Sequence, residues 1–194
     1  AAVTGAAGAR GIGRAVALTL AEAGADVDVF YINISGHDFD LEGTAEDIRK
    51  LGRRALAMRV DVTEEKGVEM FIDKVVDQLG NLDIMVNNAA VGATADYQSV
   101  TRTQWEKLLH TNVIGCHNCC KAASRVMLGK KQGSIINMSS STSFRSGHIF
   151  YPYGVSKAGI NHITTSLAEE WVQFGIRVNA VAPGAVETDI SEHD

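Results

Sequence analysis

The chain opens Ala1-Ala2-Val3-Thr4-Gly5-Ala6-Ala7-Gly8-Ala9-Arg10-Gly11-Ile12-Gly13 and runs on through Arg14 to Ala23 without a break in helical pattern. Ala1 to Thr4 reads as the end of a buried strand, and Arg14 to Ala23 as the helix that follows. Glycines between a strand and a helix let the backbone approach a ligand closely. The helix N-terminus adds unpaired N–H groups and the positive end of its dipole. Two readings follow: a tight turn with glycines for packing, or a cradle for a pyrophosphate. What comes after decides between them.

Strand and helix patterns alternate to the end of the chain. Val27 to Ile32, Arg54 to Val60, Asp83 to Val86, Ser134 to Met138 and Arg177 to Val181 are β-rich runs. Between them lie a short helix over Gly43 to Leu51 and a longer one over Glu64 to Leu79. The latter has Val68, Phe71, Ile72, Val75, Val76 and Leu79 on one stripe. Thr103 to Lys130 reads as mostly helix, interrupted in polarity around Asn112, and Tyr153 to Phe174 as a helix with Ile160, Ile163, Leu167 and Trp171 inward. Such alternation predicts right-handed βαβ units, a doubly wound parallel sheet in three α/β/α layers, and a ligand crevice at the strand ends.

Length and charge narrow the function. A chain of 194 residues makes one domain with a substantial core. The net charge is −5 with no basic run, which argues against nucleic acid as a partner. No apolar stretch approaches membrane-spanning length. Cys116, Cys119 and Cys120 crowd one predicted helix. An odd cluster of this kind does not fit a disulfide framework and points to a reducing, cytoplasmic compartment. Cys116-x-x-Cys119 lacks a second ligand pair, so small buried side chains are expected rather than a metal site.

Tyr153-Gly154-Val155-Ser156-Lys157 carries the chemistry. On a helix, residues four apart share a face, so an ammonium can stand beside a phenol. A free phenol titrates at about 10, and a fixed cation draws it toward working pH, making Tyr153 a proton donor and acceptor. Alone, the pair reads more readily as surface residues on an ordinary helix, and other parts of the chain decide against that. A serine pair, Ser139-Ser140, stands shortly before it.

Taken together, these motifs resemble the short-chain dehydrogenase/reductase family. The matching pieces are Thr4-Gly5 through Gly11-Ile12-Gly13, Asp61-Val62-Thr63, Asn87-Asn88-Ala89-Ala90, Asn112-Val113-Ile114-Gly115, Ile136 to Ser140, Tyr153-x-x-x-Lys157, and Arg177 to Gly184 with Thr188. They follow the family's order and span nearly the whole chain. The resemblance implies NAD(P)-dependent hydride transfer between nicotinamide and a carbonyl or secondary alcohol. Tyr153 would be the acid/base, Lys157 would lower its pKa and bind the nicotinamide ribose, Ser140 (rather than Ser139) would hold the substrate oxygen, and Asn112 would kink its helix and hold a relay water. Gly5, Arg10, Gly11, Ile12 and Gly13 would shape the cofactor turn. Tyr31, Asp61, Val62, Asn88 and Ala89 would lie toward the adenosine, and Pro183, Gly184, Val186 and Thr188 toward the nicotinamide. The helices Thr103–Lys130 and Tyr153–Phe174 resemble the family's pairing surfaces, so a homotetramer or homodimer is expected.

Three departures from the family pattern stand out. The glycine turn is two residues longer than usual, with Gly8 placed to absorb the excess. Ala90 replaces a usual glycine, which requires a negative φ. The chain ends at Asp194, where the family continues into a substrate loop and a last strand, so residues 1–194 are expected to form a single dinucleotide-binding and catalytic domain lacking that region. Tyr31 stands where an acidic residue would select NAD(H), and Arg10 is either a solvated loop charge or a partner for a 2′-phosphate. The balance favours NADP(H) over NAD(H), although Asp38 and Asp40 are placed to fold back toward the ribose. Phe144, Arg145, His148, Phe150 and Tyr151 would form part of the pocket wall, with Arg145 or His148 either orienting a polar substrate or lying on the surface. Polyols, sugar acids, small ketones and β-ketoacyl groups are the substrate classes left open. A non-catalytic nucleotide-binding subunit of the same fold is the alternative.

Overall fold

The computed structural model describes residues 1–31, 40–92, 95, 97–145 and 151–188. Six strands, β1 (Ala2–Thr4), β2 (Asp28–Tyr31), β3 (Ala57–Arg59), β4 (Ile84–Asn87), β5 (Gly133–Met138) and β6 (Ile176–Val181), form one sheet in the order β3-β2-β1-β4-β5-β6. Every pairing among these six strands is parallel. The order reverses between β1 and β4, which opens a crevice at the C-terminal ends of those strands.

Helices α1 (Ile12–Glu22), α2 (Leu41–Lys50), α3 (Glu65–Leu79), α4 (Arg102–Leu108), α5 (Gly115–Lys130) and α6 (Tyr151–Trp171) cover the sheet. One apolar cluster packs Val3, Val27 and Val29 against Ala17 and Ala21 of α1 and Ile48 of α2. The other sets Phe30 and Met85 against Phe71 and Ile72 of α3, α5, and Ile160 and Trp171 of α6. Neighbouring strand residues therefore feed opposite cores, which is why the strands read as continuous apolar runs. Cys116, Cys119 and Cys120 are unbridged and buried on α5, as part of this second core. No described helix is long and apolar enough to cross a membrane.

Element boundaries differ from the sequence expectations mainly at helix starts. The α1 helix begins at Ile12 and α6 at Tyr151, two residues earlier than their patterns indicate. The α2 helix begins at Leu41 because the Asp40 carboxylate accepts from Gly43 N at 2.7 Å. Asp40 is thus a helix cap and does not turn toward a ribose; Asp38, Ile32, His148 and Phe150 lie outside the described residues. The third strand is shorter than Arg54 to Val60. Arg54 N instead donates to Asp26 Oδ1 at 2.8 Å, and its guanidinium reaches the Gln78 carbonyl at the end of α3. Among the described residues only Lys131 combines a side chain with positive φ. Ala90 therefore sits at negative φ and its methyl group is unstrained.

One buried charge stands out at the sheet's opposite end. Asp28 is fully buried, with one carboxylate oxygen accepting from Leu56 N at 2.7 Å and the other unpartnered. Burial pushes its carboxyl up to about 6, against the opposing pull of the Leu56 bond. The folded value lies above the ordinary 3.8, so ionisation favours the unfolded chain. The resulting cost is absent at pH below both values, grows as pH rises between them, and is complete above about 6. Asp28→Asn is expected to be more stable than the wild type by about 1–3 kcal/mol at pH 8, with the gap closing near about pH 3.5. Thermal unfolding of both proteins at the two pH values checks this, and a pH-independent gap would contradict it.

Candidate active site

At the crevice, the glycine turn is held by β4. Asn88 Nδ2 donates to both Thr4 O and Gly5 O at 3.0 Å, while the Thr4 hydroxyl accepts from Asn88 N at 2.9 Å and Ala89 N at 2.7 Å. Gly5 turns with φ +67°, the left-handed region that glycine tolerates. A side chain at Gly13 would collide with the Gly5 carbonyl and with Asn88. The first turn of α1 is therefore pressed against the end of β1. The two extra residues are taken up by a turn in which Gly11 N donates to Gly8 O at 2.9 Å, leaving Ala9 and Arg10 exposed. Thr44 of α2 braces the turn from below, its hydroxyl donating to Ala6 O at 2.8 Å. No side chain caps α1, and its first turn carries no acidic residue. Its N-terminal N–H groups are thus placed to receive an anion such as a pyrophosphate.

Across the crevice, α6 presents Tyr153 and Lys157. Lys157 is 2% exposed, and its Nζ donates to the Met138 carbonyl at the end of β5 at 2.7 Å. The same nitrogen lies 5.4 Å from the centre of the Tyr153 ring. Burial lowers the Lys157 ammonium to about 8, so it still carries most of its charge at neutral pH. For Tyr153 the outcome differs from the sequence expectation. Burial raises its phenol above the ordinary value, and a hydrogen bond with Ser140 only partly offsets this. The ammonium stands over the ring face and donates to Met138 O, and the net shift of the phenol is upward.

Ser139 and Ser140 separate by the alternation of the strand that precedes them. Ser139 is buried, with its hydroxyl 3.3 Å from the Lys157 carbonyl. Ser140 faces Tyr153, and its oxygen accepts from Thr142 Oγ1 at 2.9 Å and Thr142 N at 3.2 Å at the start of a 3-10 turn, Ser141–Ser143. Asn112 lies in a π-helical stretch, Leu109–Ile114, that joins α4 to α5. Its Oδ1 accepts from Val91 N at 2.8 Å, and its Nδ2 donates to Val91 O and Ser156 Oγ at 3.0 Å. The side chain that interrupts the helix pattern thus ties α6 to the loop after β4.

The remaining predicted contacts are distributed around this crevice. Asp61 closes a turn on Thr63, accepting from its N at 2.8 Å and its hydroxyl at 2.7 Å. Val62 is buried against Gly115, and its carbonyl accepts from Asn118 Nδ2 at 2.9 Å. Its side chain belongs to the core. Tyr31 is half-buried at the end of β2. After β6, Pro183 O accepts from Ser141 N at 2.9 Å, Gly184 and Val186 are exposed, and Thr188 is buried. Arg10 Nη1 lies 3.9 Å from Glu187 Oε1, so this guanidinium meets a carboxylate from across the crevice. Phe144 and Arg145 are exposed, and Tyr151 packs edge-on to Trp105 with ring centres 5.5 Å apart.

Sequence reasoning missed Thr44, Thr142, Ser156 and Glu187. Their partners are remote in the chain or belong to a turn with no periodic signal. The capping preference of serine for the second residue on was the one local cue, and it bears on Thr142 alone.

Residues 1–194 match the family model described as short chain dehydrogenase. The chain is 37% identical over 190 residues to the 3-oxoacyl-[acyl-carrier-protein] reductase FabG of Staphylococcus aureus, covering 98% of this chain and 75% of that protein. It is 36% identical over 198 residues to a sorbose reductase of Candida albicans, covering 99% and 68%. Among solved structures, carveol dehydrogenase from Mycobacterium avium in complex with NAD superposes with a TM-score of 0.92 at 32% identity, covering 97% of this chain and 71% of that one. NAD+-bound xylitol dehydrogenase does so at 0.87 and 35%, covering 94% and 68%. Fold, site and relatives agree: the chain belongs to the short-chain dehydrogenase/reductase family and is an oxidoreductase acting on carbonyl or CH–OH groups.

Proposed function

We propose that the protein interconverts a small polar ketone and its secondary alcohol, with Tyr153 as the acid/base. The observation that carries this reading is the convergence of Tyr153, Lys157 and Ser140 at one end of β5, with Asn112 bound to α6 behind them. A bound nicotinamide supplies or accepts the hydride. Gly5, Gly11, Ile12 and Gly13 would hold its pyrophosphate at the uncapped start of α1, Asp61, Asn88 and Ala89 its adenosine side, and Pro183, Gly184 and Thr188 its nicotinamide side.

In reduction, the Tyr153 phenol gives its proton to the substrate oxygen, and Ser140 donates a hydrogen bond to that same oxygen. A phenol raised by burial stays protonated at neutral pH and is ready to donate. Lys157 then stabilises the phenolate that forms, since a nearby ammonium attracts the negative charge left on the ring. Sorbose reductase and xylitol dehydrogenase among the relatives support a polyol or ketose, and FabG keeps a β-ketoacyl substrate as the second reading. NADP(H) is the coenzyme we favour, on Tyr31 in place of an acidic residue and on Arg10. Exposed Leu109, Ile114 and Val155 on the α4–α5 and α6 surfaces support pairing of subunits there, as a homodimer or homotetramer.

Loss of reduced-nicotinamide absorbance, followed with NADPH and NADH against ketoses, diketones and ketoacids, tests the reading. Tyr153→Phe is expected to lower turnover by at least about 100-fold while coenzyme binding persists. Tight binding without turnover, unchanged in the variant, would instead mark a nucleotide-binding subunit. Arg10→Gln is expected to weaken NADPH by about tenfold relative to NADH; equal effects on both coenzymes would mean that Arg10 does not read a 2′-phosphate.

A further inference from the structure

Behind the site lies a polar cluster that none of the steps above employs. Asn137 is fully buried, one residue before the Met138 whose carbonyl receives Lys157. Its side-chain oxygen accepts from Asn87 Nδ2 at 2.8 Å, directly across the β4–β5 ladder, and lies 3.4 Å from Cys116 Sγ and 3.6 Å from Cys120 Sγ. Its Nδ2 donates to the buried Thr164 hydroxyl at 2.9 Å, which donates in turn to Ile160 O at 2.7 Å. Cys116 follows Asn112 by one helical turn, and Thr164 follows Lys157 by two, so each contact falls on the helix face that looks toward the site.

One carboxamide thus joins four elements that lead to or border the reacting groups. It belongs to β5, which leads to Ser140, and touches β4, α5 beyond Asn112, and α6, which bears Tyr153 and Lys157. An apolar side chain would fill this volume at less desolvation cost, whereas a buried network in which both ends of the Asn137 carboxamide are bonded selects one arrangement of its neighbours, even with Asn87 Oδ1 left without a partner. We propose that Asn137 is a positioning residue. Through Thr164 and the end of β5 it fixes the spacing between the Met138 carbonyl and α6, and so sets where the Lys157 ammonium stands relative to the Tyr153 phenol. This rests on the acid/base reading of Tyr153 given above.

Because Asn137→Leu would orphan several buried groups and risk misfolding, the test cuts the α6 arm alone. Thr164→Val removes the hydroxyl at nearly constant volume, and Thr164→Ser keeps it. Two quantities are read: the ionisation midpoint of Tyr153, from ultraviolet difference titration against Tyr153→Phe, and the pH profile of turnover. Thr164→Val is expected to raise the midpoint and lower kcat by about tenfold with little change in KM for the coenzyme, and Thr164→Ser to restore both. An unmoved midpoint and an unmoved pH profile in Thr164→Val, whatever happens to thermal stability, would overturn the proposal. A shifted midpoint in a protein without turnover would uphold the positioning role and overturn the function; turnover with no shift would do the reverse.

Discussion

An ammonium cannot be taken out of water without a partner, and Lys157 is 2% exposed with the Met138 carbonyl as its acceptor. Lowering its pKa from 10.5 to about 8 corresponds to a cost of about 3 kcal/mol at neutral pH, a large share of a domain's net stability. The fold bears that cost at one place, where β5 ends, α6 begins and the crevice opens. Ser140 caps the turn that follows β5, Tyr153 lies one helical turn before Lys157, and Asn112 reaches α6 through Ser156. Each is where it is because the strand end and the helix must meet around the buried charge.

The opposite wall of the crevice is held together by neutral groups. Asn88 and Thr4 lock β4 to the end of β1, and Gly13 lets α1 approach closely enough that its N–H groups face the opening. Donor groups on one wall and a phenol–ammonium pair on the other suit a long ligand with an anionic middle and a reactive end. The parallel sheet makes this possible, since it brings all of these loops to the same edge.

Much of this was legible because it is local. The strand–glycine–helix opening, the alternation of elements and the four-residue spacing of Tyr153 and Lys157 all act within a few residues, and the structure has the strand, the turn, the alternating elements and both residues on α6. Asn112 was visible as a polar break in a helix, and the break is a π-helical stretch. Asp40 was misread because a carboxylate before a helix serves as a cap or as a ligand with equal ease, and only the Gly43 contact decides. The direction of the Tyr153 shift was also out of reach. It depends on burial by segments far apart in sequence, and on an ammonium that points at a carbonyl rather than at the phenol oxygen.

The account depends most on Lys157 being a buried ammonium held at a strand end. A nuclear magnetic resonance titration of its side chain, assigned by comparison with Lys157→Met, tests this directly. A midpoint of about 8 is predicted. A midpoint near the ordinary 10.5 would mean a solvated lysine, and the arrangement of β5, α6 and Tyr153 described here would then be wrong.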